Sequence, residues 1–201
     1  VEIFKFISLT GARLGEVLHM EWEDFDEKTG VWTIRSKPRC PTFYGLGWKP
    51  KWDKCRQVPL FDDAIELLEY LPRREEVYGT VPVRDENKEI IRYDFYPANF
   101  VFPKKVVDGK SGKVGYCRVN WIGNGWESLK KLARVENLQL KDLRTYFNHI
   151  LKTNYNFTSK EAGAYIGNNE VVNELHYSPY HEPTIRGKMQ KFPLKEALAG
   201  P

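Results

Sequence analysis

The segment that most constrains the fold runs from Leu138 to Asn154, LQLKDLRTYFNHILKTN. Its apolar residues recur at the three- and four-residue spacing of a helix that packs one face on a core. They are Leu140, Leu143, Phe147, Ile150 and Leu151. Lys141 and Arg144 are three positions apart, so their side chains are neighbours on such a helix. The segment therefore predicts a packed helix that holds two cations side by side, an arrangement suited to a negatively charged group.

Two further segments carry clear helix signals. Residues 2–26 predict two helices that are separated at Thr10-Gly11, where the glycine interrupts the apolar spacing. Farther along, Thr158 is followed three residues later by Glu161, which is the pattern of a capping box at a helix N-terminus. Gly167 then supplies the left-handed residue that ends many helices.

Extended structure is indicated mainly before residue 62. Residues 30–37 and 56–61 are rich in β-formers, and the Pro- and Gly-containing stretch between them predicts a long hairpin. Asp62 or Asp63 is expected to cap the helix that follows. Residues 73–117 show no clear period, which favours short strands at most. The expected fold class is α+β, mainly α: a helical domain with a small antiparallel sheet built on the hairpin.

Composition excludes several classes of protein. A chain of 201 residues with 41% hydrophobic and 14% aromatic residues can bury a core. The three cysteines form no CxxC pair, so a disulfide scaffold is not indicated and a cytoplasmic location fits. No apolar run approaches the roughly 18 to 20 residues of a membrane span. The GKSGK at 109–113 lacks the first glycine of a P-loop, and the four histidines have no metal-ligand spacing. We expect no cofactor.

Three separated motifs share one explanation. The first is TGARLGEVLHMEWEDFD, residues 10–26; the second is KDLR, residues 141–144; the third is IGN, residues 166–168, followed nine residues after the asparagine by Tyr177. Their order and spacing resemble the catalytic domain of the tyrosine recombinase (phage integrase) family, whose boxes look like T-G-x-R-x-x-E-x-L-x-L-x-W-x-D, H-x-L-R and L-G-H before a nucleophilic tyrosine. PKWDKCRQVPL, residues 50–60, is similar to the family's hairpin-lysine pattern, G-K-x-x-K-x-R-x-V-P-L.

The resemblance implies a metal-independent reaction in which a DNA strand is cleaved and rejoined through a 3′-phosphotyrosyl intermediate. In that reading Arg13 and Arg144 bind the non-bridging oxygens of the scissile phosphate, and Glu16 occupies the acidic supporting position beside Arg13. Arginine suits this task because its planar fork donates to two oxygens at once and stays charged at any working pH.

The remaining roles follow from the same resemblance. Tyr177 is the nucleophile, Lys141 assists its deprotonation, and Lys51 is the acid that protonates the departing 5′ oxygen. Lys141 stands where the family usually has histidine, and Asn168 stands where it has histidine or tryptophan, so Asn168 is the expected phosphate-positioning residue. Lys37, at the end of the incoming strand, is a rival to Lys51.

Ordinary structural roles for these residues stay open. Arg13 fits equally an ion pair with Glu16 three positions on, and Lys141 with Arg144 fits a solvated helix face. The aromatic residues of 43–52 either pack the hairpin or contact DNA. Two other functions also fit the motifs: a type IB-like topoisomerase, and a DNA-binding protein that has lost catalysis.

We expect residues 1–182 to form the catalytic domain, as a fragment that lacks the N-terminal core-binding domain of the family. Residues 183–201 are expected to form a tail helix that docks on a neighbouring protomer or completes its own domain. The expected partners are double-stranded DNA and further copies of the chain, as a tetramer on DNA. The expected setting is a bacterial, archaeal or viral mobile element in its host cell.

Overall fold

A computed structural model describes residues 1–42, 44–107 and 114–177, with side chains as far as residue 174. The chain divides into two compact units, Val1–Phe147 and Asn148–Pro201. Within the described ranges no helix is long and apolar enough to cross a membrane. The described residues include more helix than strand, so the expected α+β class is confirmed.

The helices of the first unit follow the sequence patterns closely. They are α1 (Glu2–Thr10), α2 (Leu14–Leu18), α3 (Asp62–Tyr70), α4 (Gly123–Ala133) and the beginning of α5 (Leu140–Thr153). The predicted break at Thr10-Gly11 is confirmed: Gly11 has a left-handed φ of 60°, and its N–H donates to the carbonyl of Ile7 at 2.8 Å. This turn ends α1, and the chain continues from it into α2.

The N-cap of α3 lies one residue before the first of its two expected caps. Phe61 occupies the N-cap position without a side-chain hydrogen bond, so the prediction that Asp62 or Asp63 caps the helix is wrong. Both aspartates lie instead in the first turn, where a negative charge is favoured by the partial positive charge of the helix N-terminus.

The described strands of the first unit form three sheets. They are β1 (Phe25–Asp26), β2 (Val31–Ile34), β3 (Lys37–Thr42), β4 (Gly45–Trp48), β5 (Arg56–Pro59), β6 (Val77–Arg84), β7 (Ile90–Pro97), β8 (Pro103–Val107) and β9 (Val114–Arg118). The predicted long hairpin is the antiparallel pair of β2 and β5, in which Ile34 is opposite Arg56. Its far end carries a second antiparallel pair, β3 with β4. This pair of strands contributes three buried side chains to the core, those of Trp32, Ile34 and Val58.

The sheet in residues 73–117 is larger than the sequence indicated. Four strands lie in the order β7-β6-β9-β8, with β6 and β9 parallel and the other neighbours antiparallel. The expectation of short strands at most is therefore wrong, since β6 and β7 each contain eight residues. Most side chains of β7 are exposed and charges alternate with aromatic residues along it, so this strand lacks the apolar alternation that marks a half-buried strand.

The second unit contains the end of α5 together with α6 (Ser159–Ile166) and α7 (Glu170–Tyr177). The capping box is confirmed: Thr158 Oγ1 accepts from the N–H of Glu161 at 3.2 Å, and Glu161 Oε2 accepts from the N–H of Thr158 at 2.8 Å. Gly167 ends α6 with a left-handed φ of 79°, also as predicted. Asn148 and Asn173, both fully buried, exchange two amide hydrogen bonds that tie α5 to α7.

Candidate active site

Arg13 is placed by the N-terminus of α2. It occupies the N-cap position, and its backbone N–H donates to Glu16 Oε2 at 2.9 Å. Its guanidinium Nη1 donates to Glu16 Oε1 at 3.0 Å. The Glu16 side chain is 2% exposed, whereas that of Arg13 is 26% exposed. The ion pair is therefore present, and it holds a guanidinium that still faces solvent.

A second arginine, Arg56 of β5, also binds Glu16. Its Nη1 donates to Glu16 Oε1 at 2.9 Å and its Nη2 to Glu16 Oε2 at 2.8 Å, which is a bidentate ion pair. Burial by itself raises the pKa of Glu16, but the hydrogen bonds and charge of Arg56, with the backbone N–H and charge of Arg13, outweigh it and lower that pKa below its usual value. Glu16 is therefore a carboxylate at neutral pH.

Arg144 approaches the same region from α5. Its side chain is buried, and Nη1 donates to the carbonyl oxygen of Gly11 at 2.6 Å. Gly11 is the left-handed residue two positions before Arg13. The structure thus brings Arg13, Arg56 and Arg144 to one turn and its following helix; these three arginines with Glu16 are termed the arginine cluster below. Lys141 lies on the first turn of α5 and is exposed.

The two rival lysines of the hairpin have different surroundings. Lys37 is buried, and its Nζ donates to the carbonyl of His19 at 2.6 Å, to Glu21 Oε2 at 3.0 Å and to the Asp24 carboxylate. These three acceptors match the three N–H donors of an ammonium group. Lys51 is exposed in a short 3₁₀ turn, with its Nζ 5.8 Å from the ring centroid of Trp52.

His19 lies beside the cluster as a neutral side chain. Its Nδ1 contacts the carbonyl oxygen of Gly15 at 2.7 Å, its Nε2 contacts Arg118 Nη1 at 3.0 Å, and its ring stacks on Trp48 at 5.0 Å. Donation from Nδ1 and acceptance at Nε2 satisfy both contacts in one neutral tautomer. Burial, with smaller effects from the charges of Arg118 and Lys37, lowers the pKa of His19 to about 4. His19 therefore supports the fold around α2 and carries no charge for a phosphate at neutral pH.

The second unit holds the remaining predicted residues. Asn168 follows the left-handed Gly167, and its N–H donates to the carbonyl of Gly163 at 2.7 Å. Tyr177 is the last residue of α7, but its side chain is outside the described part of the structure, as is the whole of the predicted tail, residues 183–201. The nucleophile and the tail therefore stay predictions. In the described ranges no group of three or more His, Cys, Asp or Glu residues could hold a metal ion.

Sequence reasoning identified Arg13, Glu16 and Arg144 but missed Arg56. A signal was present, because Arg56 stands at the arginine of the hairpin-lysine pattern, five residues after Lys51. The pattern does not indicate what that arginine binds, since Glu16 is 40 residues away in sequence. His19 was missed for the same reason: each of its ring contacts except Gly15 comes from a distant strand.

Known proteins resemble this chain in sequence and in fold. No family model matches the sequence. The prophage integrase IntR of Escherichia coli (strain K12) is 27% identical over 134 residues, which are 66% of this chain and 31% of that protein. The chain thus spans about a third of the length of this curated relative.

Solved structures are similar over nearly the whole chain. The Tn1549 transposon integrase in complex with a circular intermediate DNA matches with a TM-score of 0.61 and 18% identity, covering 95% of this chain and 58% of that one. The XerA recombinase matches with a TM-score of 0.56 and 15% identity, covering 96% of this chain and 60% of that one. These likenesses confirm the fold that the sequence motifs implied.

Proposed function

We propose that this chain, which has the fold of a tyrosine recombinase catalytic domain, is the catalytic part of a site-specific DNA recombinase. The observation that carries the proposal is the arginine cluster, in which Arg13 and Arg144 meet at the Gly11 turn and Glu16 is held by Arg56. Similar proteins support the same reading: one is named a prophage integrase, and another is a transposon integrase solved in complex with DNA.

The charges of the cluster suit a phosphodiester in reaction. Attack by a hydroxyl places extra negative charge on the non-bridging phosphate oxygens, and preorganised cations facing that charge lower the barrier. Three guanidinium groups against one carboxylate leave an excess of positive charge. Because Arg56 satisfies Glu16 through two hydrogen bonds, Glu16 orients Arg13 without neutralising the whole cluster.

The covalent step is assigned to Tyr177, which the motif spacing selects. Its phenolate oxygen attacks the phosphorus, the bond from phosphorus to the 5′ oxygen breaks, and a 3′-phosphotyrosyl link forms. A tyrosine has a pKa of about 10, so the cations of the site, including Lys141, favour loss of its proton. The departing 5′ oxygen takes a proton from Lys51, and attack by another 5′ hydroxyl reverses the step. Asn168 is proposed to position the phosphate, in place of the family's usual histidine.

The supporting experiment traps the covalent intermediate. The chain is incubated with a pool of duplexes that carry a nick beside a randomised cleavage region, so that the short cleaved product diffuses away and the protein stays attached. We expect the unmodified chain to form an adduct that survives a denaturing gel, and Tyr177→Phe to bind DNA without forming it. Tyr70→Phe, a change at an exposed tyrosine on α3, is the matched control and should form the adduct.

Each other outcome has a defined meaning. If Tyr177→Phe still formed an adduct, another tyrosine would be the nucleophile, and Tyr180 would be tested first. DNA binding by the unmodified chain without any adduct would favour the non-catalytic DNA-binding alternative, for which the residues at Lys141 and Asn168 are the motivation. Adduct formation with relaxation of supercoiled DNA but no strand exchange would favour the topoisomerase alternative.

We further propose that residues 1–182 form the catalytic domain of a longer protein that assembles on double-stranded DNA as a homo-oligomer. The motivation is the length of the similar proteins, since the chain covers 58% of the transposon integrase structure and 31% of the prophage integrase. Residues 183–201 are proposed as the segment that links protomers, on the strength of their apolar residues.

A further inference from the structure

The strand β7 lies at one edge of the four-stranded sheet. It pairs with β6, and within the described ranges no strand pairs with its other side. In an antiparallel pair, one residue directs its N–H and C=O to the partner strand and the next residue directs them away. Ala98, just after β7, donates its N–H to the carbonyl of Val77 at 2.9 Å. By this alternation, Tyr93 and Phe95 direct their backbone groups away from β6, to the open edge.

This open edge is regular over a short stretch. At the beginning of β7, the pairing with β6 shifts register between Val83 and Arg84. At the end of the strand, Pro97 has no N–H to donate. Residues 92–96 between these limits present a row of backbone donors and acceptors, which is a template for pairing with another strand.

The side chains along the open edge are aromatic on one face and charged on the other. Successive side chains of a strand point to opposite faces, so Tyr93 and Phe95 share one face, where they are 46% and 67% exposed. Arg92 and Asp94 share the other face, where Arg92 Nε lies 3.1 Å from Asp94 Oδ1. Charges of one sign protect a sheet edge from a second copy of the same chain. Here the two charges are of opposite sign, so they can pair with a second copy.

Symmetry selects the register of such a pairing. A two-fold axis perpendicular to the sheet places residues of the same face opposite each other, so the axis passes through one residue of the strand. An axis at Arg92 or at Asp94 brings two like charges together, which is destabilising. An axis at Tyr93 places Arg92 opposite Asp94 of the second copy and Asp94 opposite its Arg92. The same register brings the two Tyr93 rings together on the aromatic face.

We infer that β7 is an interaction surface for a second copy of this chain, which pairs antiparallel with the open edge about a two-fold axis at Tyr93. Backbone hydrogen bonds join the two sheets, and two Arg92–Asp94 pairs fix the register. The interface is isologous, because both copies use the same strand. It goes beyond the proposed function, since β7 contains none of the residues assigned to the phosphate, the nucleophile or the acid.

Charge reversal tests this register. Sedimentation velocity of the 201-residue chain without DNA, over a range of protein concentrations, should show an equilibrium of monomer and dimer. Arg92→Asp and Asp94→Arg each place like charges opposite each other twice, so each should raise the Kd of the dimer about ten-fold. The variant that carries both changes has opposite charges facing again, and its Kd should match that of the unmodified chain. An equimolar mixture of the two single variants should form a mixed dimer for the same reason.

Glu66→Arg is the matched control, because it reverses an exposed charge on α3 and changes the net charge as much as Asp94→Arg does. Its dimer Kd should equal that of the unmodified chain, and melting temperatures confirm that each variant is folded. The inference is overturned by a chain that is monomeric at every concentration, by single reversals that leave the Kd unchanged, or by a double variant that stays as weak as the single ones. Adduct formation by the same preparation tests the proposed function separately, so either can fail without the other.

Discussion

Glu16 is a buried carboxylate that depends on its partners. It is 2% exposed and binds two guanidinium groups, of which that of Arg56 makes the bidentate contact. A buried charge that loses its partner is strongly destabilising, whereas the intact pair can cost or contribute little. Arg56 is therefore best understood as a positioning residue, since it keeps Glu16 ionised and Glu16 in turn fixes Arg13.

Replacing Arg56 should show this dependence. Arg56→Ala is expected to lower the free energy of unfolding by about 3 kcal/mol at pH 7, because it leaves Glu16 without its main partner. Glu16 has a lowered pKa in the folded chain, so its contribution is present above the ordinary value of 4.5 and is lost as pH falls through the folded pKa. The difference in the free energy of unfolding between the variant and the unmodified chain, measured from urea unfolding curves, should therefore become smaller below pH 4.5.

The control for this change is Arg92→Ala, which removes an arginine from an exposed pair with Asp94. It should change the free energy of unfolding by less than about 1 kcal/mol. Adduct formation adds a second measurement: Arg56→Lys, which keeps one charge but not the fork, should cleave more slowly than the unmodified chain. Equal cleavage rates for Arg56→Lys and the unmodified chain would argue against a positioning role.

The choice between Lys51 and Lys37 has a chemical test. Lys51→Ala should slow cleavage of ordinary DNA. On DNA with sulfur at the 5′ bridging position the cleavage rate of this variant should recover, because a thiolate leaves without needing a proton. Lys37→Ala should instead lower the melting temperature, since Glu21 and Asp24 lose their buried cation. If the sulfur substrate instead restored the cleavage rate of Lys37→Ala, Lys37 and not Lys51 would be the acid.

Residue-level prediction from sequence succeeded for one of two local pairs. Arg13 and Glu16 are three residues apart, and the ion pair that this spacing allows is present. Lys141 and Arg144 are also three residues apart, but Lys141 is exposed whereas Arg144 is buried. The contacts of Arg56 and Lys37 join a strand to a helix or turn that is distant in sequence, and no local periodicity encodes such a partner. The family-like pattern marked the position of Arg56 but did not supply its role.

At the scale of elements, the turn at Gly11 links Arg13 and Arg144, the two arginines that we propose to bind the phosphate. Its left-handed residue ends α1, and its carbonyl accepts the buried Arg144 guanidinium. Gly11→Ala should lower the free energy of unfolding by about 1–2 kcal/mol, the cost of a left-handed conformation for a residue with a Cβ. It should also slow adduct formation, because the carbonyl that orients Arg144 would shift.

Gly15→Ala is the matched control for this turn. Gly15 lies in α2, and a Cβ added there would meet no atom within 4 Å. Because glycine inside a helix is less favourable than alanine by roughly 0.5–1 kcal/mol, this variant should be as stable as the unmodified chain or more so. Thermal or urea unfolding of the two variants side by side gives the comparison, and equal stabilities would show that the left-handed turn is not the source of the cost.

Elements were predictable from sequence to the extent that one face of each was buried. The capping box at Thr158 and the stop at Gly167 are encoded by neighbouring residues, and both were correct. The four-stranded sheet could not be predicted from the sequence. Its strand β7 alternates Arg92 and Asp94 with exposed aromatic residues and so shows no apolar face. The β3–β4 pair within the hairpin was missed as well, since proline and glycine in its strands resemble a loop.

For the whole molecule, the position of charge matters more than its total. The segment between β2 and β5, residues 35–55, has a net charge of +5, so the rest of the chain is close to neutral at −1. A low total means that any nucleic-acid surface must be local, and residues 35–55 include four exposed cations, Arg39, Lys49, Lys51 and Lys54. A local basic surface orients a duplex on the chain, whereas an evenly spread charge would only attract it.

The last prediction concerns assembly, and it tests the segment after Glu182. Residues 183–201 include Met189, Phe192, Leu194 and Leu198, an apolar set that a terminal segment does not normally leave in water. We expect truncation after Glu182 to reduce the size of the complexes formed on DNA, measured by sedimentation, while the melting temperature stays unchanged. Replacing Phe192 and Leu194 by serine in the full chain should have the same effect. Unchanged complexes with a lowered melting temperature would mean that the segment completes its own domain, even if Tyr177 is the nucleophile.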